Sequence, residues 1–255
     1  MLAYESVGQG VPLVLIHAFP LSSRMWKPHI QTLAHKGKVI VLDLPGFGRS
    51  PRDVKPSIAK MAQGIARLLD SINVKGPAMI AGLSMGGYVA FEFFRQFPGR
   101  VKALGLFSTR ADADTPETRE KRLKTAEKIR LEGLESFAKT ILPKLVGKTT
   151  LESHSPLLGE IGAMISSNTR EGVEDALLAM AGRRDSTDLL GLIKCPTLII
   201  AGEEDQLIPV SEAEAMHAQI RGSQLHLLPS AGHLVNLEQP AAFQNVVEKF
   251  LIQKL

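Results

Sequence analysis

The fold is decided at residues 78–93, which read AMIAGLSMGGYVAFEF. The apolar run over residues 78–81 predicts a buried strand, and the segment that begins at Tyr88 has the apolar spacing of a helix. Between them lies Gly82-Leu83-Ser84-Met85-Gly86, a match to the pattern G-x-S-x-G. At average glycine and serine frequencies, chance produces about 0.1 such match in a chain of this length. A serine at a sharp strand-to-helix turn between small residues is held as an exposed nucleophile, so the stretch predicts that role for Ser84.

Outward from this turn, short apolar runs alternate with amphipathic segments of helical length. Strands are predicted over residues 11–17, 39–43, 78–83, 103–107, 197–201 and 224–228, with a further edge strand over residues 2–7. Helices are predicted over residues 25–34, 58–72, 88–97, 211–219 and 241–251. Most of the strands are continuously apolar, which is typical of strands buried on both faces. The pattern predicts an α/β fold with a mostly parallel central sheet flanked by helices.

One segment interrupts the alternation. Residues 111–188 contain no strand pattern but include charged helical stretches at residues 117–132, 134–145 and 171–180. We expect this segment to form a helical cap over the end of the sheet. The predicted division is therefore a core of residues 1–110 and 189–255, with a cap of residues 111–188.

Composition limits the function classes. The chain has 255 residues, of which 44% are hydrophobic and 22% charged, enough for one large domain with a sizeable core. A single cysteine, Cys195, excludes a disulfide framework and a cysteine-based metal cluster. The net charge of +4 is spread along the chain and only 5% of residues are aromatic, which disfavours nucleic-acid binding. The first apolar run is too short for a membrane span, and no basic segment of the kind that begins a signal peptide precedes it, so we expect a cytoplasmic protein with no membrane partner.

A serine nucleophile requires a base, and seven histidines are available. His233 lies in the predicted loop between the last strand and the last helix, and it is the candidate base. The other histidines have plainer interpretations: His226 lies within a strand, His29, His35 and His217 lie on polar helix faces, and His154 lies in the cap.

The base in turn requires a carboxylate that orients it. Three carboxylates follow the predicted strand over residues 197–201, and Asp205 is the candidate, with Glu204 as the alternative in the same cluster. Asp112 and Asp114, which follow the strand that ends at Phe107, form a separate alternative. Ser84, Asp205 and His233 would then each lie at the carboxyl end of a strand, where open α/β sheets place their sites.

The tetrahedral intermediate of acyl transfer needs backbone N–H donors directed at its oxyanion. The amide of Met85, directly after the nucleophile, is one candidate. The second should come from the loop after the strand over residues 11–17, which reads His17-Ala18-Phe19-Pro20. Phe19 can donate its N–H, whereas Pro20 has none.

Together these motifs resemble the α/β-hydrolase superfamily in its serine-nucleophile branch. Residues 43–50, DLPGFGRS, are similar to its D-x-x-G-x-G-x-S segment, and the loop at His17 is similar to its H-G-x-P oxyanion loop, with Ala18 in place of glycine. The resemblance implies catalytic roles for Ser84, Asp205 and His233 and oxyanion roles for Phe19 and Met85. It also implies that the cap follows the sixth strand. Ser84 at the turn disfavours the branches that use an aspartate nucleophile.

The leading hypothesis is hydrolysis of small carboxylic esters through an acyl-enzyme, a route that needs no metal or organic cofactor. We expect a small-molecule ester or lactone as substrate, and neither nucleic acid nor a membrane as partner; the sequence does not indicate the oligomeric state. His17, Trp26, Tyr88 and Phe107 are the predicted substrate contacts.

Three alternatives remain open. The same three catalytic residues would serve an enol-lactonase similar to 3-oxoadipate enol-lactonase. Basic residues of the cap would suit a carboxylate in such a substrate: Arg119, Arg122, Lys124, Arg183 and Arg184. Pro20 in the first loop is also similar to cofactor-free perhydrolases. From a different class, the fold can act as a non-catalytic receptor for small molecules.

Overall fold

The computed structural model describes residues 1–53, 55–153 and 155–254. Its centre is a seven-stranded sheet with the order β1-β3-β2-β4-β5-β6-β7. All neighbouring strands are parallel except β1, which runs antiparallel to β3 at one edge. The strands are β1 Tyr4–Val7, β2 Pro12–Ile16, β3 Lys38–Leu42, β4 Ala78–Leu83, β5 Val101–Phe107, β6 Thr197–Gly202 and β7 Gln224–Leu228. The predicted α/β fold is confirmed, and each predicted strand is present within two residues of its predicted ends.

Helices cover the sheet, as continuously apolar strands require. Every residue of β4 and of β6 is buried. In the described part of the chain the helices are α1 Lys27–Ala34, α2 Ile58–Ser71, α3 Met85–Gln96, α4 Pro116–Leu145, α5 Lys148–Glu152, α6 Leu157–Ser166, α7 Arg170–Ala181, α8 Thr187–Leu190, α9 Val210–Gln219, α10 Val235–Glu238 and α11 Pro240–Lys254. Helix α2 packs against α3, and α1 packs against α11. Among the described residues, no helix is both long and apolar enough to cross a membrane.

The segment between β5 and β6 is helical, from α4 to α8. Helix α4 bends at Gly133, whose φ of 83° interrupts it between the two stretches that the sequence predicts as separate helices. These helices follow the fifth strand of the chain, so the expected position after the sixth strand was wrong. That count came from the resemblance rather than from the strands of this chain. The division into core and cap at residues 111 and 188 stays a prediction.

Aromatic side chains form a cluster within the core. Trp26 and Phe107 are fully buried and pack against Phe243, with ring centroids 6.0 and 5.0 Å from it. Neither side chain presents a surface to a ligand, so their predicted role as substrate contacts is replaced by core packing. His29 joins this cluster at 5.1 Å from Phe243 and is fully buried, which corrects its predicted place on a polar face.

Candidate active site

Ser84 lies at the turn between β4 and α3. Its backbone has φ 56° and ψ −114°, a conformation that residues other than glycine rarely adopt. The turn is tight enough that a Cβ on Gly82 would overlap the carbonyl oxygen of Gly86. Within residues 78–91, Ser84 is the one residue that is not buried. The turn therefore presents a serine hydroxyl at the carboxyl end of β4 and buries everything around it.

His233 and Asp205 form a buried pair. His233 Nδ1 lies 2.8 Å from Asp205 Oδ2, and both side chains are at most 2% exposed. The other oxygen, Oδ1, accepts hydrogen bonds from the backbone N–H groups of Leu207 and Ile208, at 2.8 and 3.0 Å. Because a carboxylate can only accept, the proton lies on Nδ1 and the lone pair of His233 is on Nε2. An imidazole in this tautomer is prepared to take a proton through Nε2.

The alternative carboxylates have other partners. Glu204 accepts from the backbone N–H and the hydroxyl of Thr149, at 2.8 and 2.6 Å. Asp112 pairs with Arg110, and Asp114 pairs with two arginines. Of the four carboxylates considered from the sequence, Asp205 is the one that meets a histidine. The prediction for His154 lies outside the described residues.

Strand order brings Ser84 and His233 to the same sheet edge, because β4 to β7 are consecutive parallel strands with common carboxyl ends. No hydrogen bond joins the two side chains; the described residues supply no partner for the Ser84 hydroxyl. Such nucleophile–base contacts are often looser without substrate.

The amides of Phe19 and Met85 are both free. Neither N–H has an acceptor among residues 1–53, 55–153 and 155–254. The turn at Ser84 packs against the end of β2, since a Cβ on Gly86 would overlap the carbonyl oxygen of Ile16. Two amides without an acceptor, one in the loop after β2 and one at the Ser84 turn, are the kind of donor that an oxyanion site requires.

His17 has a structural role. Its ring is fully buried, with Nδ1 2.9 Å from the carbonyl oxygen of Ala18 and Nε2 2.9 Å from the N–H of Leu44. Both nitrogens are therefore occupied by backbone groups, and the predicted substrate contact is corrected. Burial lowers the pKa of His17, which keeps the neutral tautomer that this bridge requires.

Tyr88 lines a cavity of about 290 Å³ beside α3, together with Arg110 and Arg183. The Arg183 guanidinium covers the tyrosine ring, with Cζ 4.2 Å from its centroid. The basic residues suggested for a substrate carboxylate are mostly paired: Arg122 and Arg183 with Asp114, Lys124 with Glu120 and Arg184 with Asp188. Two of these arginines share Asp114, and Asp188 is shared with Arg95, so the pairing reduces the positive charge of this group without cancelling it.

Two polar side chains near the site were missed, the buried Asn168 and the half-buried Glu238. Asn168 accepts from the N–H of Gly48 at 2.9 Å and donates to the carbonyl oxygen of Pro20 at 2.8 Å, so it fastens the helical segment to the loop of Phe19. Glu238 binds both amides next to His233. No local pattern marks Asn168, because the two loops that it joins, at Gly48 and Pro20, lie more than 100 residues away in the sequence. The position of Glu238, five residues after His233, was an available signal. In the described part of the chain, no group of three or more His, Cys, Asp or Glu could hold a metal ion.

Comparisons with known proteins agree with this architecture. Residues 11–240 match the sequence profile of the alpha/beta hydrolase fold family. A thermophilic esterase from Thermogutta terrifontis, whose structure has malate bound, is 41% identical with a TM-score of 0.96, and the match covers 99% of this chain and 93% of that one. The 3-oxoadipate enol-lactonase 2 of Acinetobacter baylyi is 28% identical over 97% of this chain and 91% of its own length. The pimeloyl-[acyl-carrier protein] methyl ester esterase of Neisseria meningitidis is 30% identical over 93% and 91%. A serine in a strained turn and a buried histidine–aspartate pair at the carboxyl edge of a mostly parallel sheet, together with a profile match over most of the sequence, lead to one conclusion: this chain belongs to the alpha/beta hydrolase fold family.

Proposed function

We propose that this hydrolase is a serine esterase that cleaves carboxylic esters of small molecules through an acyl-enzyme. One observation carries the proposal: the buried His233–Asp205 pair, 2.8 Å apart, lies at the sheet edge where Ser84 is presented in a strained turn. Two esterases among the relatives, one of them 41% identical, support ester bonds as the target.

In the proposed reaction, His233 Nε2 takes the proton of the Ser84 hydroxyl as its oxygen attacks the ester carbonyl. The N–H groups of Phe19 and Met85 donate hydrogen bonds to the oxyanion of the tetrahedral intermediate. His233 then gives the proton to the departing alcohol, which leaves the acyl group on Ser84. A water molecule attacks the acyl-enzyme by the same steps, releases the acid and restores the serine. Asp205 holds the imidazole in the tautomer and orientation that both halves need.

The test is turnover of p-nitrophenyl acetate and butyrate by the wild type, Ser84→Ala and a matched control. Ser108→Ala is that control, because Ser108 also follows a strand of the sheet with positive φ, 41°, but its hydroxyl is buried. We expect Ser84→Ala to lose kcat/KM by about 10⁴-fold or more and Ser108→Ala to stay close to the wild type. Circular dichroism checks that each variant folds. Equal activities of wild type and Ser84→Ala would refute the proposal.

A lactone is the second candidate substrate, because the enol-lactonase relative spans 97% of this chain. Hydrolysis of a lactone uses the same steps, with the alcohol remaining attached to the acid. A larger kcat/KM for a lactone than for the butyrate ester would favour this candidate. Peracid formation would require hydrogen peroxide to replace water in attacking the acyl-enzyme, and adding peroxide to the same assay tests it. If the wild type turns over neither ester nor lactone, a receptor for small molecules becomes the better proposal.

A further inference from the structure

Glu238 binds the backbone of the loop that carries His233. It is the last residue of α10, and its Oε1 accepts hydrogen bonds from the N–H groups of Gly232 and Leu234, at 2.9 and 3.2 Å. These are the residues immediately before and after His233. One carboxylate oxygen therefore fixes the backbone on both sides of the imidazole.

The second oxygen of Glu238 reaches the helical segment between β5 and β6. Oε2 accepts from the N–H of Gly147 and from the hydroxyl of Thr150, both at 2.7 Å. The two chain segments touch directly here, because a Cβ on Gly232 would overlap the backbone nitrogen of Gly147. Glu238 thus joins the start of α5 to the loop that carries His233.

All four partners of Glu238 are hydrogen-bond donors, so the side chain at this position must accept four hydrogen bonds. An ionised carboxylate accepts all four bonds, whereas a protonated acid or an amide would direct a donor at one of them. Burial raises the pKa of Glu238, and the bonds from Gly147, Thr150, Gly232 and Leu234 oppose that shift. A charge partly removed from water is retained when several hydrogen bonds compensate it.

We propose that Glu238 is a positioning residue for His233: it holds the histidine loop, and through it the imidazole, in register with Ser84. The inference rests on the proposed function and deepens it. Glu238 is part of neither the Ser84 turn nor the oxyanion loop at Phe19, so its loss should slow turnover more than it weakens substrate binding.

The test is Glu238→Gln, which keeps the size of the side chain but turns one acceptor into a donor. Its matched control is Glu204→Gln, because Glu204 binds Thr149 on the same α5 with both oxygens while its carboxylate makes no bond to the histidine loop. We expect kcat for p-nitrophenyl butyrate to fall about 10–100-fold in Glu238→Gln with KM within about two-fold of the wild type, since small misplacements of a catalytic group have effects of this size. The rate at which diethyl p-nitrophenyl phosphate labels Ser84 should fall in parallel. Glu204→Gln should keep kcat and the labelling rate within about three-fold of the wild type.

Glu238→Asp is measured as a second variant, because it keeps the charge but is one methylene too short to reach all four donors. Its kcat should lie between those of the wild type and Glu238→Gln. If Glu238→Gln does not fold, a lower kcat of Glu238→Asp at an unchanged KM is by itself the result that supports the inference. Wild-type kcat in the Glu238 variants, or an equal loss in Glu204→Gln, would overturn the inference. A wild type that neither hydrolyses the ester nor is labelled at Ser84 would instead refute the proposed function, so the two failures are distinguishable.

Discussion

Replacing Asp114 by Asn should destabilise the protein strongly, because it breaks a buried ion pair. Asp114 and Arg183 have side chains only 3% exposed, with Oδ1 2.5 Å from Nη1, and Oδ2 lies 2.6 Å from Arg122 Nε. Asn offers one acceptor and places an amide N–H₂ where a second arginine now donates. The Arg183 guanidinium, whose side chain is only 3% exposed, would keep its charge and its two backbone acceptors, Asp112 and Met180, but would lose its counter-ion.

The magnitude follows from that burial. Removing one partner of a buried ion pair costs about 3–5 kcal/mol, because the remaining charge is uncompensated. For a chain of this size each kcal/mol lowers Tm by about 2–4 °C, so Asp114→Asn should lower Tm by about 6–20 °C. Burial alone would raise the pKa of Asp114, but Arg122 and Arg183 outweigh it and hold the pKa below its usual value. The carboxylate's contribution is therefore complete above about pH 4 and is lost as the pH falls further.

The assay is thermal and urea unfolding at pH 7, followed by circular dichroism, with Asp188→Asn as the control. Asp188 also binds an arginine through both oxygens, to Arg95 at 2.7 and 2.8 Å, but its side chain is 54% exposed. Exposed pairs contribute little, so the control should change Tm only slightly. If Asp114→Asn lowers Tm no more than the control does, burial is not what gives this pair its energy and the reasoning fails.

Three further predictions concern the helical segment and the site. Gly172→Ala should lower Tm and raise KM, because its Cβ would overlap the carbonyl oxygen of Gly46. Gly159→Ala, with open space around the position, should change neither, and equal Tm values for the two variants would contradict the prediction. The free energy of unfolding in urea should decrease as the pH falls below 6.5. Burial lowers the pKa of His17, so in this range the unfolded chain takes up a proton that the folded protein does not. A free energy of unfolding that is constant between pH 7.5 and 5 would contradict the prediction. Phe137→Ala should shift the preference of the enzyme toward esters with longer acyl chains. The ring of Phe137 lies next to that of Phe19, with the centroids 5.9 Å apart, and lines a cavity of about 140 Å³ at the bend of α4. An unchanged ratio of octanoate to acetate turnover would refute this prediction.

The sequence was informative where the cause of structure is local. Apolar runs predicted the strands, and the glycines around Ser84 predicted the turn, because both depend on neighbouring residues. Asp205 was chosen from its position after the strand over residues 197–201, with Glu204 as the alternative, and the structure pairs Asp205 with His233 at 2.8 Å.

Long-range packing was not predictable in the same way. Trp26 and Phe107 were among the predicted substrate contacts, but each is buried against Phe243, which lies more than 130 residues further along the chain. Asn168 is buried among backbone groups from two distant loops, and no periodicity marks such a side chain. A pattern read along the chain identifies which residues are apolar or polar, but it does not identify the tertiary partners that decide their roles.

The attachment of the helical segment has a consequence for exchanging it between relatives. It is fastened at Asn168 to the loop of Phe19 and at Gly147 and Thr150 to Glu238, beside His233. A chimera that receives the helices of a relative without these contacts would gain a new binding surface but lose the hydrogen bonds that hold the Phe19 and His233 loops. Specificity and catalytic power would then change together. The helical segment is therefore not an independent module, and recombination between relatives should succeed where the crossover points preserve the contacts of both Asn168 and Glu238.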